Sequence, residues 1–204
     1  SLLAVRLVTR LRATLGVEVA LREVFAQPVL ARLAHTVAAA ARTVQEAIVP
    51  VDRAGALPLS WAQQRLWFMD QLDHAVGAAY HIPVALRLNG TLDQVALQAS
   101  LDRIVARHES LRTTFANVRG EPQQVIAAAD IGFALATHDL RGLDAIAQEA
   151  AVTELSVTEA RAPFDLAHGP LIRGRLLQLS ERDHVLLVTQ HHIISDGWSI
   201  GVLI

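Results

Sequence analysis

His184-Val185-Leu186-Leu187-Val188-Thr189-Gln190-His191-His192-Ile193-Ile194-Ser195-Asp196-Gly197 is the stretch on which the reading of this chain turns. Its first seven residues form a near-continuous apolar run, as expected of a central strand buried on both faces of a sheet. Successive side chains of a strand alternate in direction, so His191 and His192 address opposite faces and only one of them can look into a given cleft. Asp196-Gly197 reads as a turn in which glycine permits a positive φ. A histidine at a strand end, followed within four residues by a carboxylate, suits a general base near neutral pH. A hydrogen-bonded structural histidine and a metal ligand are the competing readings. The metal reading is the weaker, because the two rings diverge and no further His or carboxylate lies close in sequence to complete a set.

Outward from this strand, helix and strand patterns alternate. Trp61 to Leu72 reads as a helix with Ser60 as N-cap, its two tryptophans packing into a core. Val84 to Leu88 reads as a strand ended by Asn89-Gly90. Thr91 and Gln94 form a capping box for a helix that buries Leu97, Leu101, Ile104 and Val105. Residues 111–118 and 123–127 flank Arg119-Gly120-Glu121-Pro122 as a hairpin with a loop longer than two residues. Residues 131–137 form a further strand. Residues 143–161 form a helix with a weak stripe of Leu143, Ile146, Ala150 and Val157, and residues 171–179 a strand. Residues 199–204 read as the start of another helix.

The first 42 residues are helical throughout. Leu3, Leu7, Leu11 and Leu15 recur every four residues with Arg6, Arg10 and Arg12 off that line, and Gly16 is the stop. A short apolar group, Val19 to Phe25, precedes Pro28, which opens the next helix, with Leu30, Leu33, Ala34 and Val37 on one face. Two longer helices and a short one are too little for a self-sufficient core. Residues 43–57, with Pro50 and Gly55 before Pro58, read as a linker to a second domain at 58–204.

Composition narrows the function. The 204 residues carry 18 Lys and Arg against 20 Asp and Glu, a balance without the basic excess that a nucleic-acid footprint requires. The chain has no Cys, which excludes disulfides, thiolate nucleophiles and Cys-ligated metals. No charge-free run approaches the ~18 residues needed to cross a bilayer, and nothing at the start reads as a signal peptide, so neither a membrane nor a nucleic-acid partner is expected and the location is expected to be cytoplasmic. Met69 is the only methionine, so a chain opening on Ser1-Leu2-Leu3 reads as an internal piece of something longer.

Three segments taken in order are far more specific than any one alone. Ser60-x-Ala-Gln-x-Arg-Leu-Trp67, Arg107-His-Glu-x-Leu-Arg-Thr-x-Phe115 and His191-His-x-x-x-Asp-Gly197 resemble the first three core motifs of the condensation domains of nonribosomal peptide synthetases. Tyr80-His81-Ile82-Pro83, and Pro163-Phe164-Asp165-Leu166 through Arg173, also resemble that family. The opening segment, with Leu15-Gly16-Val17 and Val24-Phe25, looks like the latter part of a peptidyl carrier domain starting at its phosphopantetheine-bearing serine.

The resemblance implies an α/β (α+β) N-terminal lobe of a chloramphenicol-acetyltransferase-like fold, preceded by a partial all-α carrier bundle. It implies a transferase that joins carrier-bound acyl and amino groups in an amide bond, with this fragment alone inactive. His192 would face the tunnel, as a base for the attacking amine or as a group orienting it, while His191 packs behind. Asp196 would be structural and paired with Arg65, and Gly197 would place its N–H near the substrate. Ser1 would carry 4'-phosphopantetheine, and no metal is implied. Partners would be the upstream and downstream carrier domains, the adenylation domains and a phosphopantetheinyl transferase. His191 argues against a heterocyclising domain. Epimerisation, dual condensation–epimerisation and a non-catalytic docking domain of the same fold are the alternatives.

Overall fold

The computed structural model describes residues 2–42, 49–53, 55–72, 77–197 and 199. The chain divides into two compact units, residues 1–52 and 53–204. The first unit contains α1 (Leu2–Leu15), α2 (Leu21–Ala26) and α3 (Leu30–Ala39). Gly16 ends α1 at φ 64° with its N–H on the Arg12 carbonyl, the left-handed stop that the sequence predicts. Pro28 does not open α3. Val29 is extended and precedes the first helical residue, Leu30, so the proline lies one step outside the helix. Ala4, Val17, Val19 and Leu33 are buried, whereas Leu7, Leu15 and Leu30 remain exposed. Leu7, Leu11, Leu15, Leu30, Leu33 and Val37 border an open apolar groove of about 570 Å3, because three helices leave part of their apolar faces uncovered.

Among its described residues, the second unit holds two sheets and three longer helices. β1 (Leu57–Pro58), β4 (Glu121–Ile126) and β3 (Thr113–Val118) form one antiparallel sheet in the order β1-β4-β3. The other sheet has the order β2-β7-β6-β5, with β2 (His81–Asn89), β7 (Asp183–His191), β6 (Ile172–Ser180) and β5 (Ala134–Asp139). β5 runs parallel to β6, and the other pairs are antiparallel. β7 is an interior strand, as its apolar run predicts, and its residues from His184 to His191 are buried apart from the half-buried Val188. Leu57 belongs to β1, and Arg53 pairs with Glu109 at 2.6 Å, so both ends of the stretch 53–57 are tied into this unit rather than serving as linker. Residues 43–48 and Ala54, also within the expected linker, lie outside the described residues.

Helices α4 (Trp61–Leu72), α5 (Gln94–Arg107) and α6 (Ala145–Arg161) pack around the sheets. α5 begins later than a Thr91 cap implies. Asp93 is its N-cap, accepting the Ala96 N–H at 2.9 Å, because a carboxylate is a stronger acceptor for an exposed helix terminus. The β3–β4 connection is a two-residue turn, not a longer loop. Val118 pairs with Glu121, and Arg119 (φ 58°) and Gly120 (φ 88°) both take positive φ, the twist that matches a tight hairpin. Asn117 Oδ1 accepts the Gly120 N–H at 2.9 Å and offsets the strain at Arg119.

α6 buries a different face from its expected apolar stripe. Ile146 is 84% exposed, and Leu143 and Val157 are also exposed. The inward face runs through Gln148, Val152, Leu155 and Glu159. Its ends are polar and fully used, which hides it from a count of apolar residues. Gln148 Nε2 donates to the carbonyls of Leu140 (3.0 Å) and Leu179 (2.9 Å). Glu159, 2% exposed, receives Arg173 Nε and Arg175 Nε, one on each oxygen, both at 2.6 Å. Burial pushes the Glu159 pKa up, and the bonds from Arg175 and Arg173 outweigh it, leaving the carboxyl below its ordinary value. Removing one member of such a cluster leaves a buried, uncompensated charge. Glu159→Ala is therefore expected to lower the unfolding free energy of the second unit by about 3 kcal/mol in urea titrations. Wild-type stability from this group is present above the ordinary carboxylate pKa and lost as pH falls through the lowered one. An unchanged urea midpoint in the variant would contradict this account.

Candidate active site

The β2–β7 ladder brings His81 opposite His191. It continues one residue further through the His192 N–H, which donates to the Tyr80 carbonyl at 2.8 Å. The chain then turns: Ile194 N–H returns to the His191 carbonyl at 3.1 Å. The two imidazoles thereby part as strand alternation requires. His191 is 1% exposed, and His192 is exposed.

His191 is held by its neighbours and by the loop it supports. Its Nδ1 accepts the Ile193 N–H at 3.1 Å, which requires an unprotonated Nδ1 and places any ring proton on Nε2. Its ring meets His81 at 5.9 Å and Phe164 at 6.1 Å between centroids, both edge to face. Phe164 lies under the Arg173 guanidinium at 3.8 Å, and Arg173 also donates to the Ala162 and Pro163 carbonyls at the end of α6. His81 Nδ1 donates to the Ala160 carbonyl at 2.8 Å. The Tyr80-His81 and Pro163-Phe164 segments are thus the packing against which the first histidine rests.

His192 is oriented from its other ring atom. Nδ1 lies 2.7 Å from the Ser195 carbonyl oxygen, an obligate acceptor, so Nδ1 is the donor, and in the neutral ring the lone pair is on Nε2. No described residue bonds Nε2. Such a ring can accept a proton at Nε2 while the Ser195 carbonyl stabilises the imidazolium that forms.

Asp196 has a structural part, as the sequence suggests, while Gly197 does not need the positive φ expected of it. Asp196 is exposed, and its Oδ1 accepts both the Ser199 N–H (2.8 Å) and the Ser199 hydroxyl (2.6 Å), an N-cap for the helical residues that begin at Gly197. Gly197 does not take a positive φ, and a Cβ there would meet nothing within 4 Å. Arg65 is exposed on α4, as Asp196 is on the loop. The expected pairing presumed a buried carboxylate, and with both groups in water nothing forces it. Of the helix expected at residues 199–204, only Ser199 is among the described residues, as Ser1 at the other end is not. No group of three or more His, Asp or Glu among the described residues is arranged to hold a metal ion. No described helix is long and apolar enough to cross a membrane.

The link between the first and third motifs is Gln63, which the sequence did not single out. Its Nε2 donates to the Ile193 carbonyl at 3.5 Å. The Ser-x-x-Gln spacing of a capping box was the available signal. Trp67 packs against the core that contains Ile193 and Ile194, whereas Trp61 is 88% exposed, contrary to the expectation that both tryptophans are packed. In the second motif, Leu111 and Phe115 join the same core, and Thr113 Oγ1 donates to the Glu109 carbonyl at 2.7 Å, so this segment braces the site without lining it.

Burial, and then the neighbouring charges of His81 and His192, push the His191 pKa down to about 4. The unfolded chain, with a histidine near 6.5, binds the extra proton first, so stability rises with pH across the window between these values and is lost as pH falls through it. His191→Asn keeps an acceptor for the Ile193 N–H but cannot titrate. Its unfolding free energy is expected to vary less between pH 6.5 and 4 than that of the wild type, by up to ~3 kcal/mol. Equal slopes in denaturation series across that window would refute the assignment.

Comparison with known proteins places these features. The family described as "Condensation domain" matches residues 53–204, and "Phosphopantetheine attachment site" matches residues 1–37. Malpibaldin synthetase of Mortierella alpina and a linear gramicidin synthase of Brevibacillus parabrevis are each 48% identical over the whole chain. The chain spans about 4% of the length of each of these relatives. Among solved structures, the X-domain from teicoplanin biosynthesis matches 78% of this chain at 34% identity and TM-score 0.65, over 32% of its own length. The starter condensation domain of rhizomide synthetase RzmA matches 74% of this chain at 22% identity and TM-score 0.65, over 35% of its own length, a likeness of fold. The outward histidine, the braced first histidine and the two family matches together mean that the chain belongs to the condensation-domain family of nonribosomal peptide synthetases, with a phosphopantetheine attachment segment ahead of it.

Proposed function

We propose that residues 53–204 supply the catalytic histidine of a peptide-bond-forming condensation domain, and that His192 is that residue. The observation that carries the reading is the ring itself: exposed, locked through Nδ1–H to Ser195, and presenting an Nε2 that no described residue bonds. In the reaction, the amine of a carrier-bound amino acid attacks the carbonyl carbon of an upstream acyl thioester. The new C–N bond replaces the C–S bond, and the amine proton passes to His192 Nε2 and from there to the departing thiolate. Holding the amine by hydrogen bond at the same atom orients it for attack, so positioning and proton acceptance use one geometry. His191, neutral and packed, supports the loop. Asp196 holds the N–H and hydroxyl of Ser199 beyond the loop, and Arg65 lies on the exposed side of α4.

The phosphopantetheine attachment segment calls for a serine with open surface beside it. Ser1 directly precedes α1, whose first residues Leu2 and Leu3 are exposed, and a helix start favours a phosphodiester through its free N–H groups. These residues fit the group, and Ser1 would hold it. Once attached, it supplies the thiol that carries the acyl chain as a good leaving group. A phosphopantetheinyl transferase would load it, and carrier and adenylation domains of the same synthetase would be the working partners.

In an intact module with loaded donor and acceptor carriers, His192→Ala is expected to lower the rate of carrier-bound dipeptide formation by at least ~100-fold, read by mass spectrometry of the acceptor carrier. Dipeptide formation at the wild-type rate would refute the role of His192. Inversion of the donor Cα without dipeptide would point to the epimerising alternative.

A further inference from the structure

Helix α4 and the histidine loop lie 130 residues apart in the chain, yet a single side chain spans them. Gln63 uses both ends of its amide. Ser60 N–H, which can only donate, meets Oε1 at 2.9 Å, and this fixes the orientation of the amide and turns Nε2 toward the Ile193 carbonyl at 3.5 Å. Ser60 Oγ completes the box by accepting the Gln63 N–H at 3.2 Å. Leu59, beside the cap, is buried in the same core as Ile193 and Ile194, so α4 is seated against the loop by packing as well.

We infer that Gln63 is a positioning residue for His192, acting through the Ile193 carbonyl. The inference rests on the reading of His192 given above. Each peptide around that histidine has a defined partner. The one before it is held through its N–H by Tyr80. The one after it is held through its N–H by the His191 ring. The next is held through its N–H by the His191 carbonyl and through its C=O by Gln63. The first three of these anchors come from Tyr80, the residue just before β2, and from the loop's own strand. Gln63 is the anchor from α4, and it sets the loop against the helix. Loss of that donor leaves the strand in place and lets the turn carrying Nε2 drift, which costs rate at the reacting atoms without weakening capture of the carriers.

The two functions of Gln63 can be separated. Gln63→Glu keeps an oxygen for the Ser60 N–H, since Ser-x-x-Glu is itself a capping box, but it replaces the donor to Ile193 with a second oxygen. Gln63→Ala removes both. In the intact module, Gln63→Glu is expected to lower kcat about tenfold with KM for the acceptor carrier unchanged and Tm within about 2 °C of wild type. Gln63→Ala is expected to lose kcat comparably and Tm in addition. Wild-type kcat in Gln63→Glu, with His192→Ala inactive, would overturn the clamp and leave the reading of His192 intact. Equal losses of Tm in both variants, with kcat falling in step, would also overturn it in favour of capping alone. Full activity in His192→Ala would overturn the reading of His192 and the clamp with it.

Discussion

The hydrogen bond from the His192 N–H to the Tyr80 carbonyl carries the β2–β7 ladder one residue beyond His191, and the site depends on it. Because the ladder holds that far, strand alternation still governs both histidines, and one ring must go into the protein while the other comes out. A ladder that ended a residue earlier would leave His192 in a free loop with no defined direction. The turn that follows is closed by groups the histidines themselves supply: the His191 ring and carbonyl, and the Ser195 carbonyl on the His192 ring.

The buried ring needs a wall, and the wall needs charge. His191 rests against His81 and Phe164, and Phe164 is held by Arg173, whose charge is matched by Glu159. Arg175 shares the same carboxylate and reaches His138 on β5 at 3.1 Å. A line of polar contacts, finished by the Phe164 ring, therefore runs from the far edge strand of the sheet to the back of the first histidine. Two guanidinium groups around one carboxylate satisfy donors and acceptors in a place where any one of them alone would be costly. The Pro163-Phe164 and Arg173 positions of the sequence belong to this support rather than to the chemistry.

Much of the candidate site was legible from sequence because its features are local. The apolar run into His191-His192 determines burial and opposite facing with no knowledge of what surrounds the strand. The Gly16 stop and the extents of α1 and α4 are likewise settled by residues a turn apart. The misses share a physical cause. Asp93 displaced Thr91 as a cap, and Arg119 took a left-handed turn position, because small local energies were decided by neighbouring side chains. The buried face of α6 escaped because it ends in Gln148 and Glu159, residues that read as solvent-facing until their partners on β6 and in the Leu140 turn are known.

Sequence alone thus determined the periodic elements, the family to which three ordered motifs point, and the separation of the two imidazoles, since each follows from spacing along one stretch of chain. Tertiary structure decided which groups hold the histidine loop. It put Gln63 on that loop, made Asp196 a cap for Ser199, and buried Glu159 between two arginines. These outcomes depend on contacts between residues far apart in sequence and on which carboxylates leave water, and neither quantity is encoded in a local pattern.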